Sequence, residues 1–216
     1  LKALSTIFAS KFFSLDNSVN IKNDPYASLR FPEFNHYLVI RFAIVFALTM
    51  QFAIVEWRVY ELARDPFSLG LIGLAEVIPA VLLAPFAGHM VDKLEKRGVL
   101  LKCVIAYLGI GTGLFLLTWD VTTQHLSKTT VLALIYALVF CGGIIRSFTS
   151  PATFTLLSLL VPRTLYANAS TWSSSAWQIG AVIGPALGGL CIHWFGVHWS
   201  ILLVVVVFLA PLISLL

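Results

Sequence analysis

Long apolar stretches separated by short polar connections make up almost all of the chain after residue 35. A transmembrane helix needs about 20 mostly apolar residues, and each stretch is at least that long. The pattern predicts six membrane-spanning helices within residues 36–216, and the expected spans are 37–62, 68–91, 99–119, 129–160, 169–194 and 197–216. We therefore expect an all-α membrane protein with six transmembrane helices.

Residues 1–35 follow a different pattern, because they carry acidic side chains and no single continuous apolar core. This pattern argues against a secretory signal and predicts a cytoplasmic leader. One helical face at its start is apolar and consists of Leu4, Phe8, Phe12 and Leu15. The leader is therefore either an amphipathic helix on the membrane surface or a disordered tail.

Composition and charge exclude a soluble protein and predict an orientation. With 59% hydrophobic and 11% charged residues, the chain departs from the roughly 25% charged residues of soluble proteins. Most basic residues lie on one side of the predicted topology, namely Lys2, Lys11, Lys22, Arg30, Lys93, Lys96, Arg97, Lys102 and Arg163. The positive-inside rule then predicts a cytoplasmic amino terminus and a multi-pass protein of the plasma membrane, with the bacterial inner membrane favoured. The net charge of +4 thus indicates orientation and no nucleic-acid partner.

Candidate catalytic and metal-binding patterns are missing from the sequence. Its three cysteines lie within apolar stretches without metal-ligand spacing, and two histidines near the last predicted turn are too few for a site. The sequence also contains no Ser/His/Asp set, phosphate-binding glycine loop or cluster of carboxylates. We therefore predict neither an enzyme, nor a cofactor, nor a metal site.

Two carboxylates and one guanidinium fall at membrane depth. A charged side chain at the centre of a membrane helix costs about 3 kcal/mol, so each needs a reason. Glu56 in the first span, Glu76 in the second and Arg146 in the fourth are expected to frame a polar cavity. All three are candidates for proton coupling, Glu56 first and Glu76 second. A structural ion pair, or a carboxylate bonded to neighbouring hydroxyls, is an equal alternative.

Other positions in the first two spans support that cavity or anchor the helices. Gln51, little more than one turn from Glu56, is a candidate wall residue of the substrate cavity. Arg41 and Arg58 lie nearer the ends of the first span, where we expect them to be interface anchors. A face of small residues accompanies Glu76, and we expect it to pack against protein. That face consists of Gly73, Ala80, Ala84 and Gly88.

The fifth span contains glycines at four-residue spacing, which place a smooth stripe on one helix face. Pro185 leaves the Ala181 carbonyl without its helical partner, so we expect a bend or a loosened turn there. Taken alone, the segment predicts a helix-packing seam. At the start of this span, we expect Asn168 to cap the helix. The motif residues are Gly180, Gly184, Pro185, Gly188 and Gly189.

The connection between the second and third spans is short and highly charged, and its key residues are Gly88, Asp92, Lys93, Lys96 and Arg97. The basic residues offset the unfavourable position of a carboxylate at a helix carboxyl end. Considered alone, these charges are also typical of a solvated loop. Together with Leu100, however, the loop resembles motif A of the major facilitator superfamily, although Glu95 stands where that motif has glycine. The resemblance implies a cytoplasmic gating loop.

The glycine stripe is in turn similar to motif C, the antiporter motif of the same superfamily, at all five positions. Residues 59–76 and 148–163 resemble its drug:proton antiporter branch, which includes enterobactin and macrolide exporters. The match fails at motif B on the fourth span. The family's arginine falls near Val139 and its glycine at Gly143, whereas Arg146 follows Val139 by seven residues.

The resemblance implies the amino-terminal half of a major-facilitator fold and a proton-coupled efflux antiporter. Its partners are then protons, a small amphipathic substrate, the lipid bilayer and a missing carboxyl-terminal six-helix half. Two alternatives stay open: a half-size six-helix module that acts only as a dimer or with another chain, and a lysophospholipid-type lipid transporter. Since the chain starts at Leu and ends within an apolar run, either a fragment or a genuine half-transporter is expected.

Overall fold

The computed structural model describes residues 24–119 and 126–215, so the predicted amphipathic face of the leader lies outside the described part. This part is all-helical, without strands. Its long helices are α1 (Pro32–Ala63), α2 (Pro66–Lys93), α3 (Lys96–Leu117), α4 (Lys128–Leu160) and α5 (Tyr166–Leu215). Two 3-10 turns, Ala27–Arg30 and Arg163–Leu165, precede α1 and α5. Five segments are thus long and apolar enough to cross a membrane.

Local sequence signals explain where α1, α2 and α4 begin and where α1 ends. α1 starts at Pro32, five residues before the expected position, because proline is favoured in a first helical turn. Arg64 then breaks the helix in a left-handed conformation (φ 51°). Asp65 accepts a bond from the Phe67 amide at 3.2 Å and caps α2. Ser127 caps α4 in the same way through the Thr130 amide, also at 3.2 Å.

The predicted fifth and sixth spans lie in α5, which consists of two helical parts that meet at Gly196 (φ 77°, ψ 171°). After Gly196 the chain runs back along α3. His198 Nδ1 lies 3.2 Å from the Thr118 hydroxyl at the end of α3. At the other end of α3, Arg97 donates to the Leu215 carbonyl at 2.7 and 2.9 Å. The structure therefore has five long segments where the sequence predicts six, and the chain reverses direction within the fifth.

Helix packing divides the bundle into two pairs, α1 with α5 and α2 with α4, and α3 closes it against α4 and α5. The main core contains fully buried side chains of α1, α2, α3 and α5, including Met50, Ile72, Leu114 and Phe208. We call the end of the bundle that carries Lys93, Lys96, Arg97 and Arg163 the basic end. The junctions α2–α3 and α4–α5 and the start of α1 all lie at this end.

The small-residue face of α2 does not pack as expected. Its buried residues lie on another face and are Ile72, Pro79, Ala87 and Val91. A methyl group added at Gly73 or Gly88 would find no described atom within 4 Å, and Ala84 is exposed. The prediction for this face is wrong for the described residues, because α4 approaches α2 on the side of Pro79.

Residues 24–31 form an N-terminal clip at the start of α5. The Asn168 side chain accepts from the Ser28 amide (3.2 Å) and hydroxyl, and donates to the Pro25 carbonyl at 2.6 Å. The Trp172 indole donates to the same carbonyl at 3.0 Å. Asn168 therefore does not cap its own helix, as the sequence suggests. It lies just inside α5, which begins at Tyr166, and satisfies the backbone of the clip instead.

Candidate functional site

The glycine stripe of α5 is the surface on which α1 packs. A methyl group at Gly180 would lie 3.2 Å from the Phe46 amide nitrogen, and one at Gly188 would lie 3.3 Å from the Met50 carbonyl. At Gly184 it would overlap the Thr49 hydroxyl, which itself donates to the Gly180 carbonyl at 3.1 Å. The stripe thus permits backbone approach between the two helices.

The other two motif residues have different surroundings. Gly189 has no described atom within 4 Å of an added methyl group, so it takes no part in the seam. Pro185 lies within α5, which is helical on both sides of it, and this residue also lines a cleft. The seam therefore consists of Gly180, Gly184 and Gly188, the three glycines that the four-residue spacing predicts.

This cleft has a volume of about 320 Å³ and receives side chains from all five helices. Its charged members are Arg41, Glu56, Glu76 and Arg146. Its remaining lining is mostly apolar or aromatic, with a few hydroxyls. Small-molecule sites typically have such a lining around a few polar groups and volumes of about 300–1,000 Å³. The cleft is therefore large enough for a small ligand.

Glu76 and Arg146 form an ion pair across the cleft, in which the Arg146 guanidinium donates to a Glu76 carboxylate oxygen. The two side chains can meet because α4 contacts α2 at Gly143, about one turn before Arg146. A methyl group at Gly143 would overlap the Glu76 carbonyl and lie 2.7 Å from the Pro79 ring. Only glycine permits this approach. Of the alternatives left open by the sequence, the structural ion pair applies to Glu76.

Glu56 is different, because it makes no hydrogen bond or ion pair with any residue in the described ranges. Its half-buried side chain lines the same cleft, about 10 Å from the end of α1 by helical rise. The structure thus brings together all three proposed coupling residues, Glu56, Glu76 and Arg146, and leaves one carboxylate without a partner.

Gln51 lies beside the main cleft rather than in it. It lines a smaller pocket of about 50 Å³ together with Glu76, Tyr107 and Val139. Its Oε1 atom is buried and has no hydrogen-bond partner among the described residues. The two spaces adjoin each other, because both are lined by Leu48, Phe52, Glu76 and Tyr107.

The expectation that Arg41 is an interface anchor stays a prediction, but the structure also places its side chain at the cleft. Because α1 begins at Pro32, Arg41 lies about 13 Å inside the helix, and its side chain lines the cleft. The guanidinium carbon lies 5.7 Å from the centre of the Phe154 ring. Arg58, in contrast, bonds to exposed Glu61 at 2.7 Å near the opposite end of the bundle.

The charged loop lies at the basic end, apart from the cleft. Lys96 donates to the carbonyls of Asp92 (2.7 Å) and Leu94 (2.9 Å), and so compensates the carboxyl end of α2. Asp92 and Lys93 are exposed, while Arg97 connects the loop to the end of α5. Lys96 thus stabilises this helix end, and it does so through backbone carbonyls.

Sequence reasoning missed the cleft roles of Arg41, Tyr107, Ser150 and Trp177. A signal for Arg41 was present, because positions 41, 45, 48, 52 and 56 share one face of α1. That face carries both Arg41 and Glu56. For the other three residues, which lie on different helices, the sequence offers no comparable signal.

The described residues are all-helical and form five membrane-length apolar segments around a charged cleft, which is the architecture of a multi-pass membrane protein. The family model described as Major Facilitator Superfamily matches residues 37–216. The chain therefore belongs to the major facilitator superfamily of transporters, which confirms the resemblance found in its motifs.

Distant relatives are named as multidrug resistance proteins. The chain is 23% identical over 143 residues to "Putative multidrug resistance protein MdtD" of Citrobacter koseri. Proteins of the same name from Salmonella dublin and Escherichia coli O81 are 24% and 25% identical over the same length. Each alignment covers 66% of this chain and 28% of the relative. The chain thus matches less than a third of the length of these relatives.

Proposed function

We propose that this chain is the amino-terminal, six-helix half of a proton-coupled efflux antiporter that moves small amphipathic molecules across the membrane. Membership of the major facilitator superfamily supports transport, and the multidrug resistance names of distant relatives support efflux. The five residues that match the antiporter motif in the fifth predicted span, between Gly180 and Gly189, support exchange rather than uniport.

The contacts of α5 support the number of spans. Its first part runs alongside α1, and its part after Gly196 runs back along α3. Each part has the length of a membrane span. We therefore count α5 as two spans, which makes six together with α1 to α4, and we place the missing carboxyl-terminal half opposite the open side of the cleft.

The single observation that carries the coupling proposal is the unpartnered carboxylate of Glu56 in the cleft. A carboxylate at membrane depth with no cationic partner can be neutralised by a proton, and its cleft position lets it exchange that proton with a ligand or solvent. Glu76 is less suited, because Arg146 already compensates its charge.

The remaining motifs have mechanical roles in this proposal. Close packing of α1 on Gly180, Gly184 and Gly188 lets the half move as one body during alternating access. The loop around Asp92 and Lys93, exposed at the basic end, is available to contact the other half as a gate. Arg30, Arg97 and Arg163 at the same end indicate that it faces the cytoplasm of a bacterial inner membrane.

The test is transport by the complete protein in proteoliposomes with an imposed pH gradient. Efflux of ethidium and of anilinonaphthalene sulfonate is followed for the wild type, for Glu56→Gln and for the control Glu33→Gln. Glu33 is an exposed carboxylate in the first turn of α1, outside the cleft. We expect Glu56→Gln to abolish gradient-driven efflux while exchange without a gradient persists, and Glu33→Gln to behave as the wild type.

Two results would count against the proposal. Undiminished efflux with an unchanged pH dependence in Glu56→Gln would remove Glu56 from the coupling role. Insensitivity of the wild type to the pH gradient, with either dye, would contradict proton antiport itself.

A further inference from the structure

We propose that the cleft contains an anion-binding subsite at its basic end, in which Arg41 binds the carboxylate, sulfonate or phosphate group of an aromatic amphiphile. This inference rests on the proposed transport function and names the chemical class of its substrate. It starts from a cation in the cleft for which the structure offers no counter-ion.

Arg41 has no acceptor within the described ranges. Its Nε atom is buried and makes no hydrogen bond, and its guanidinium forms no ion pair. The face of the Phe154 ring, 5.7 Å from the guanidinium carbon, attracts the cation but accepts no conventional hydrogen bond. A guanidinium presents five N–H donors in a planar fork. Most of this donor capacity is therefore unused in the cleft.

The carboxylates of the cleft are too distant or already engaged. Glu56 lies 15 residues further along α1, which is about 22 Å by helical rise. Glu76 is bound to Arg146. In addition, Glu76 lies level with Gly143 of α4, about 16 Å along that helix from the Phe154 ring at Arg41. Neither carboxylate can neutralise Arg41 in this arrangement.

Two further donors lie at the level of Arg41. Ser150 is one turn from Phe154 on α4, and its hydroxyl bonds to no other described residue. Trp177 of α5 is level with Arg41, because Ser173 bonds to Tyr37 and Gly180 contacts Val45. Its indole N–H likewise has no described partner. All these donors line the same cleft, so one anion can satisfy several of them.

The space between Arg41 and Glu56 defines the rest of the ligand. The α1 face between them is mostly apolar and consists of Ile44, Val45, Leu48, Thr49, Phe52 and Ala53. Trp177 covers part of the opposite side. A cleft of about 320 Å³ accommodates two or three fused or linked rings along this wall. The ligand is thus an apolar aromatic body with an oxyanion at one end.

Arginine rather than lysine suits this role, because its planar fork bonds an oxyanion through two parallel N–H groups. The assignment also separates the two functions of the cleft. Arg41 recognises the substrate at the basic end, and Glu56 exchanges the proton nearer the opposite end.

The experiment compares two fluorescent probes that differ only in the anion: anilinonaphthalene sulfonate and its neutral parent phenylnaphthylamine. Saturable binding to the complete protein in nanodiscs is measured for the wild type, Arg41→Gln, Arg41→Lys and Arg58→Gln. Arg58 is the matched control, because it lies on the same helix, is paired with Glu61 and does not line the cleft. Size-exclusion chromatography selects folded protein in every case.

We expect Arg41→Gln to weaken binding of the sulfonate about ten- to hundredfold, the usual effect of losing a charged hydrogen bond, and to leave binding of the neutral probe unchanged. Arg41→Lys should restore part of the difference, and Arg58→Gln should match the wild type. Equal effects of Arg41→Gln on both probes, no effect on either, or no saturable sulfonate binding by the wild type would each overturn the proposal.

A second arm identifies the source of the anion. Phosphatidylglycerol is added to nanodiscs of phosphatidylcholine, and sulfonate binding is measured again for the wild type and Arg41→Gln. Competition only in the wild type supports a lipid headgroup at Arg41, whereas absence of competition supports a soluble amphiphile. Because these assays measure binding without a gradient, a failure of proton coupling does not affect them.

Discussion

Replacing Gly184 or Gly189 of α5 with alanine separates two effects of glycine: the close helix contact that it permits and the helix propensity that it lowers. At Gly184 the new methyl group would overlap the Thr49 hydroxyl and lie 2.9 Å from the Phe46 carbonyl oxygen and 3.0 Å from the Met50 amide nitrogen. At Gly189, five residues further on, it would meet no described atom within 4 Å. Both substitutions increase helix propensity equally, by about 1 kcal/mol.

The expected cost at Gly184 has two parts. Overpacking of a close helix contact costs about 1–3 kcal/mol, because the Phe46 and Met50 backbone atoms cannot rotate away. Thr49 can rotate, but it then loses its hydrogen bond to the Gly180 carbonyl, which is worth about 1 kcal/mol. Relative to Gly189→Ala, we therefore expect Gly184→Ala to lower the free energy of unfolding by about 2–4 kcal/mol.

Thermal unfolding of the complete protein in nanodiscs, followed by intrinsic tryptophan fluorescence, measures this difference. Gly184→Ala should unfold several degrees below Gly189→Ala, since 1 kcal/mol corresponds to roughly 2–4 °C in a domain of 150–250 residues. Gly180→Ala, with contacts of 3.2 Å, should fall between them. Identical midpoints for all three variants would refute the close packing of α1 on the stripe.

Two further predictions concern contacts between distant parts of the chain. Asn168→Ala leaves buried donors of the N-terminal clip without an acceptor, at a cost of about 1–3 kcal/mol. Trypsin should therefore cleave after exposed Arg30 at least about fivefold faster than in the wild type. The control Thr171→Ala removes only a hydrogen bond within its own helical turn and should not change the cleavage rate. A double-mutant cycle of Glu76→Gln and Arg146→Gln should give a coupling free energy of about 1 kcal/mol or more in the same unfolding assay, and additive effects would contradict the ion pair.

The spans could be located from the sequence because apolar length is a local property. Four expected spans agree with α1 to α4 to within a few residues at most ends, since proline and the Asp65 and Ser127 caps are also local signals. The reversal at Gly196 is local as well, because one glycine in a positive-φ conformation ends the first helical part of α5 and the second begins directly after it. The sequence predicts the existence of a turn there and not its tightness.

The sequence left a structural ion pair open as an alternative, but it could not show which residues form the pair. Helical periodicity places Glu76 and Arg146 on faces of their own helices, but they are 70 residues apart. Whether those faces meet depends on how α2 and α4 are rotated relative to each other. Gly143 permits the observed rotation, because any larger side chain there would overlap the Glu76 carbonyl. The motif-B mismatch at Val139 gave no indication that Arg146 would pair with a carboxylate of another helix.

The two small-residue stripes show why a pattern on one helix does not identify its partner. Both the α2 stripe and the α5 stripe offer a smooth face, yet only the α5 stripe is covered within the described chain. On α5, the glycines oppose a segment of α1 whose backbone can reach them. On α2, the neighbouring helix supplies its own glycine, Gly143, and packs against Pro79 on a different face. A stripe permits close approach, but the contact forms where the facing helix also has a gap or a matching ridge, so the partner's residues decide which stripe is used.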